Sequence, residues 1–180
     1  MYQPSSALWF RVARMRSRRY GASAAIEVMG AGAGLYMAAG TRIGPAAVGL
    51  LVSDGHEEVV VHRRPRVAIL GTGDELLAPG SSPERPGSVV DGNGPMIASF
   101  VRRRGAVAME PTRRQDDPEE IARWLTEASA QSDLVLTTGG ASVGEHDCLA
   151  QAWECAGIET RFWKVAVKPG KPLRFGVCQA

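Results

Sequence analysis

An α/β domain, with a mostly parallel sheet flanked by helices, is the architecture this sequence predicts. From Pro65 onward, short runs rich in Val, Ile and Leu alternate with longer amphipathic stretches, the strand–helix order of a parallel α/β sheet. Those runs end in glycines and small polar residues, where open sheets of this class place their ligands. Finally, 180 residues with 44% apolar side chains suffice for one core and a small appendage.

Residues 1–34 carry an Arg-rich start and then an Ala/Gly-rich stretch. They match no clear element and are expected to form an unstructured leader rather than a targeting helix. Residues 35–65 form a compact unit. Thr41 to Pro45 reads as a turn into a short helix that buries Ala47, Val48, Leu50 and Leu51, and Glu58 to His62 reads as a strand. His62, beside Arg63 and Arg64, reads as a surface residue. The α/β domain proper spans residues 66–180. Its first strand is Arg66 to Gly71, followed by a Pro/Gly/Ser loop from Pro79 to Gly87. A helix over about Pro95 to Arg104 should bury Met96, Ile97, Phe100 and Val101. A second strand covers Ala106 to Glu110. Asp116-Asp-Pro-Glu-Glu starts a helix, with acids in its first turn and proline near its first position. Asp133 to Thr138 is a third strand, Cys148 to Ala156 a helix ending at Gly157, and Glu159 to Val165 and Leu173 to Val177 are two further strands.

Charge and cysteine usage exclude several functions. Net charge is +2, but five arginines and no acid lie in residues 1–20, leaving about −3 on the rest. That argues against nucleic acid as the partner. No apolar run approaches the ~20 residues that cross a bilayer, which argues against a membrane partner. Cys148, Cys155 and Cys178 have neither zinc spacing nor a disulfide framework, so a cytoplasmic, reducing compartment is expected. A Cys148/His146 nucleophilic pair is disfavoured.

Three constellations carry chemistry. After the third strand, Thr138-Gly-Gly-Ala-Ser-Val-Gly-Glu-His-Asp147 offers Gly139, Gly140 and Gly144 for close backbone approach to an anion, and the Ser142 hydroxyl. Glu75, Asp91, Asp116 and Asp147 each fall at a strand end or helix start, so parallel strands would bring them to one edge. Converging carboxylates suit Mg²⁺, which takes few protein carboxylates and keeps water and substrate phosphates. Taken singly, plainer roles exist: Asp116 or Asp117 as a helix cap, Asp91 as a turn residue with Asn93. The third constellation is Phe162-Trp-Lys-Val-Ala-Val-Lys-Pro-Gly-Lys-Pro172. Lys164, Lys168 and Lys171 are point charges suited to oxyanions, and Pro169, Gly170 and Pro172 shape the loop. A solvated surface loop is its plain alternative.

Together, Thr72-Gly-Asp-Glu-Leu76, Asp91-Gly-Asn93, Asp116-Asp-Pro118, the glycine-rich loop and the lysine loop resemble the molybdopterin molybdenumtransferases, the MoeA and gephyrin E-domain family. The resemblance covers roughly residues 35–177 and keeps the order and spacing of all five motifs. It implies a three-layer molybdopterin-binding (MogA-like) fold, in a chain truncated to that domain plus a remnant of the preceding one. It further implies Mg²⁺-dependent insertion of molybdate into adenylylated molybdopterin, with release of AMP, during molybdenum cofactor biosynthesis. Carried over by position, Glu75, Asp116 and Asp147 are the implied catalytic and metal-holding acids. Gly139, Gly140, Ser142 and Gly144 are implied to form the loop that holds the molybdopterin side, and Lys164, Lys168 and Lys171 to face molybdate and phosphates. Thr72, Gly73, Asp74, Asp91, Asn93, Pro169, Gly170 and Pro172 are implied further ligand-binding residues. The family assembles its sites across a dimer, so a homodimer or association with the missing domains is expected. A non-catalytic molybdopterin-binding module is the alternative, and a molybdopterin adenylyltransferase a further one. Asp91-Gly-Asn93 departs from a more usual Asp-Ser-Asn, and Ala141 stands where valine is common.

Overall fold

The computed structural model describes residues 26–30, 33–37, 41–53, 56, 58–59, 61–83, 85–139, 148–168 and 172–178. The chain divides into two units, Met1–Arg63 and Arg64–Ala180. In the first, β1 (Ile26–Gly30) and β2 (Ala33–Met37) form an antiparallel hairpin, where the Ala/Gly-rich composition predicts no regular element. Helix α1 (Pro45–Ser53) opens on proline, whose missing N–H is lost at a position with no intrahelical partner. Leu51 and Met37 are buried, packed by Ile43, Ala47 and Val59. Leu50, expected in that buried face, is 43% exposed. The described residues of the expected strand Glu58 to His62 are not in a strand, and no described strand pairs with them. Without a hydrogen-bonded neighbour a run of valines is only extended chain.

The second unit is built around β3 (Arg66–Thr72), followed by the short β4 (Leu76–Leu77) and β5 (Val89–Val90). Then come α2 (Asn93–Arg103), β6 (Val107–Ala108), β7 (Thr112–Arg114), α3 (Pro118–Gln131), β8 (Leu134–Thr138) and α4 (Cys148–Cys155). Strand β3 pairs in parallel with β6 and β7 along one edge and with β8 along the other. Parallel neighbours require crossovers, which α2 and α3 supply. The single strand expected over Ala106 to Glu110 appears as β6, with β7 resuming after Pro111, whose ring nitrogen has no proton to give the ladder.

Every β3 residue from Val67 to Thr72 is buried, because helices cover both faces. Val67 and Ile69 meet Ala98 and Val101 of α2 on one side. Leu70 meets Ile121, Ala122 and Leu125 of α3 and Ala152 of α4 on the other. The result is a three-layer α/β architecture. At its amino edge the Arg66 N–H donates to Asp133 Oδ2 at 2.7 Å, while the Asp133 N–H returns to the Arg66 carbonyl at 2.8 Å. Asp117, not Asp116, caps α3, accepting the Glu119 and Glu120 N–H groups at 2.9 and 3.1 Å. Helix α2 corrects its expected burial. Gly94, Ala98 and Val101 form the buried stripe, whereas Met96 and Phe100 face solvent at 62% and 55% exposure. Three- and four-residue spacing from Gly94 puts the small side chains inward, so the helix lies close to the sheet.

Last come β9 (Glu159–Trp163) and β10 (Arg174–Val177), an antiparallel pair in which Phe162 and Phe175 stack at 5.5 Å.

Ile69→Ala is expected to cost about 2–5 kcal/mol, because it empties a fully enclosed site. Met96→Ala should stay within about 0.5 kcal/mol. Urea denaturation of both variants measures the contrast, and equal losses would contradict the assigned core.

Candidate functional site

Because β3, β7 and β8 run the same way, Thr72, Arg114 and Thr138 reach one edge of the sheet together. Beyond Thr72 the chain turns at once. Gly73 donates its N–H to the Arg114 carbonyl at 3.2 Å and accepts the Leu76 N–H at 3.1 Å. Gly73 holds φ +148°, and a Cβ there would stand 2.6 Å from Glu75 Oε2. Glycine is therefore what lets the Glu75 carboxylate fold back over the turn. Gly139 does the same service after β8. It holds φ +98°, and a Cβ there would collide with the Thr72 carbonyl oxygen and crowd Thr72 Oγ1 at 2.8 Å. The ends of β3 and β8 thus approach backbone to backbone.

The turn after β3 is tied to the segment after β7. The Asp116 N–H donates to Asp74 Oδ1 at 3.1 Å, so Asp74, Glu75 and Asp116 share one small region. Its electrostatics follow. Burial, then the charges of Asp74 and Glu75, raise the Asp116 carboxyl above its ordinary value. None of the three forms an ion pair among the described residues.

Asp91 sits below this edge and has a different setting. It is 3% exposed, and its Oδ1 accepts the Gly94 N–H at 2.9 Å at the start of α2. Its Oδ2 has no hydrogen-bond partner among the described residues and faces the Arg113 guanidinium at 4.0 Å. The peptides Asp91 N–H to Leu77 carbonyl (3.0 Å) and Val89 N–H to Glu75 carbonyl (2.9 Å) lock that segment beside the turn. Asn93 opens α2 in an exposed position. Thr72 is buried, and its hydroxyl also has no partner among the described residues. It is a polar group held ready at the edge, since an unmade buried hydrogen bond is costly.

The structure thus gathers Thr72, Gly73, Asp74, Glu75, Asp116 and Gly139, with Asp91 beneath them. Lys164, Lys168 and Pro172 belong to another element, the segment joining β9 to β10, and are exposed. Gly140, Ser142, Gly144, Asp147, Pro169, Gly170 and Lys171 lie outside the described residues. Two arginines passed over in the sequence also reach this edge. Arg113 faces Asp91, and Arg114 pairs with Glu120 of α3 at 3.0 Å, bracing β7 to that helix. In the sequence they are two adjacent cations just before Asp116, with no motif to mark them.

Among the described residues no group of three His, Cys, Asp or Glu side chains is arranged to cage a metal. Asp74 and Asp116 are joined by one hydrogen bond beside Glu75 but form no such cage.

A family described as "Probable molybdopterin binding domain" matches residues 68–180. The molybdopterin molybdenumtransferase of Nostoc sp. is 36% identical over 135 residues, covering 75% of this chain and 31% of the relative. That of Haemophilus influenzae is 36% identical over 137 residues, covering 76% and 33%. A crystal structure of the molybdopterin biosynthesis MoeA protein from Pyrococcus horikosii superposes with TM-score 0.63 at 30% identity, covering 78% of this chain and 34% of that one. The matched part spans about a third of the length of these relatives.

The raised Asp116 pKa fixes a pH dependence. The folded chain holds that proton more tightly than the unfolded chain, so the ionised carboxylate costs stability above the raised pKa. The cost disappears as pH falls below the unfolded value near 3.8. Asp116→Asn should therefore stabilise the chain at neutral pH in chelator by less than about 1 kcal/mol, because solvent screens an exposed group, and the gain should appear as a higher melting temperature. It should change nothing at pH 3. Melts of both proteins across that range provide the check.

Proposed function

This chain belongs to the molybdopterin-binding domain family, and on that premise we propose that it binds molybdopterin at the carboxyl edge of its parallel sheet. The activity we infer is Mg²⁺-dependent insertion of molybdate into adenylylated molybdopterin, with departure of AMP, as a step of molybdenum cofactor biosynthesis. The observation that carries this reading is the gathering of Asp74, Glu75 and Asp116 around the Gly73 turn, against Gly139 and the unpartnered Thr72 hydroxyl.

Each group has a task in this reading. Thr72 donates its hydroxyl proton to a ligand oxygen, and Gly139 lets that oxygen come close to backbone. Glu75 and Asp116, with Asp147, hold Mg²⁺, which supplies charge neutralisation for phosphate oxygens. Lys164, Lys168 and Lys171 receive molybdate and the leaving phosphate as point charges. Gly140, Ser142 and Gly144 are assigned to the molybdopterin side, and Pro169, Gly170 and Pro172 to ligand binding beside the lysines, on the resemblance of their motifs alone. Asp91 and Asn93 set the edge from below, at the start of α2.

A second reading uses the same sheet edge: a module that captures molybdopterin without turnover. Homodimer formation and a cytoplasmic setting complete the proposal. Among the described residues no helix is long and apolar enough to cross a membrane, which is compatible with that setting.

Calorimetric titration with molybdopterin and its adenylylated form, with and without Mg²⁺ and molybdate, is the deciding experiment. Binding with AMP release supports the enzyme, binding without release supports the capture module, and no binding refutes both. Asp116→Asn and Asp147→Asn should each lower molybdate insertion at least tenfold while weakening molybdopterin binding far less. An unchanged insertion rate would remove the acid concerned from the catalytic set.

A further inference from the structure

Lys164 stands apart from the other loop lysines in two ways. It is the non-glycine residue among those described with a positive φ, +70°. A lysine rarely adopts that conformation, so the surrounding structure must impose it. The imposing contact is visible: the Lys164 N–H donates to the Leu173 carbonyl at 2.8 Å, closing the segment between β9 and β10 at its root. Second, its ammonium lies over the Trp163 ring, 4.1 Å from the centroid. No carboxylate among the described residues pairs with it.

Trp163 is itself held from elsewhere. The Arg174 guanidinium lies 5.0 Å from the Trp163 ring and 5.7 Å from that of Trp153 on α4. One indole therefore carries two cations and is connected through Arg174 to a helix.

We propose that Trp163 is a positioning residue for anion capture, its indole holding the Lys164 ammonium at the root of the lysine loop before the oxyanion arrives. A free lysine loses much rotamer freedom when it binds, and a side chain already set against an aromatic face loses less. The ring engages one side of the ammonium, so its remaining N–H donors stay open to the anion. This inference rests on the reading of Lys164, Lys168 and Lys171 as the molybdate- and phosphate-facing groups. It adds a residue that touches neither.

The test is a double-mutant cycle on the full chain, with molybdate and inorganic phosphate as probes, read by calorimetry at low salt and by indole fluorescence. Trp163→Leu should weaken molybdate binding by about twofold to fivefold, the range that a surface cation–π contact spans. Trp163→Phe, which keeps an aromatic face, should recover most of it. In a Lys164→Gln background, Trp163→Leu should have no further effect, which a merely structural role would not produce. Anion titration should change the emission of the wild-type chain, and the change should be absent from Trp163→Phe and from Lys164→Gln. Equal affinities for wild type and Trp163→Leu, or an undiminished effect in the Lys164→Gln background, overturn the inference and leave the lysine reading standing. A wild-type chain that binds neither anion overturns the lysine reading and the inference with it.

Discussion

Parallel pairing of β3 with β7 and β8 is the constraint on which the site depends. It alone brings residues from distant parts of the sequence to one edge, because each parallel strand ends where its neighbours end. An antiparallel neighbour would have carried its acid to the opposite edge. The pairing is secured by burial on both faces, Val67 and Ile69 against α2 and Leu70 against α3 and α4. A slip of one residue would turn Ile69 toward the wrong helix layer and move Thr72 off the edge, so the core that stabilises the sheet also sets the chemistry.

That dependence explains what was legible in the sequence. Near-continuous apolar runs separated by helix-length segments imply parallel strands, and parallel strands imply shared ends, so the region of Thr72 to Glu75 and Asp116 could be located without coordinates. The start of α3 was equally plain, although the cap fell to Asp117. What was not legible required neighbours. The burial of α2 turned on which face met the sheet, and Met96 and Phe100, large and apolar, lost to Gly94, Ala98 and Val101 because those three, with the partly buried Ile97, lie on the sheet-facing side. The β1–β2 hairpin was hidden by a composition of Ala and Gly that marks no period. Arg113 and Arg114 gave no motif, and their parts became visible only with Asp91 and Glu120 opposite them.

Charge is unevenly arranged across the second unit. The sheet edge concentrates Asp74, Glu75 and Asp116, while β10 carries Arg174 beside Trp163 and Trp153, and the segment joining β9 to β10 carries Lys164 against Trp163 and the exposed Lys168. Neither group is well suited alone to a phosphorylated ligand: the acids repel it and the lysines are screened by water. A divalent cation on the acids would reverse that repulsion. In the proposed reaction the phosphates of adenylylated molybdopterin would meet the metal and the separate substrate molybdate would meet the lysines, which gives each cluster a use.

Asp91 sharpens the division between residues that meet a ligand and residues that frame it. A carboxylate buried to this extent is costly unless it is hydrogen-bonded and near a cation. Asp91 has both, the Gly94 N–H at 2.9 Å and the Arg113 guanidinium at 4.0 Å. The room for it comes from glycine: a Cβ on Gly94 would stand only 2.7 Å from Asp91 Oδ2. One missing side chain thus admits a carboxylate that joins the start of α2 to the end of β7. The consequence is mechanical. The Val89 N–H bonds the Glu75 carbonyl and the Asp91 N–H the Leu77 carbonyl, so the segment that carries the buried acid is tied to the chain leaving the Asp74–Glu75 turn.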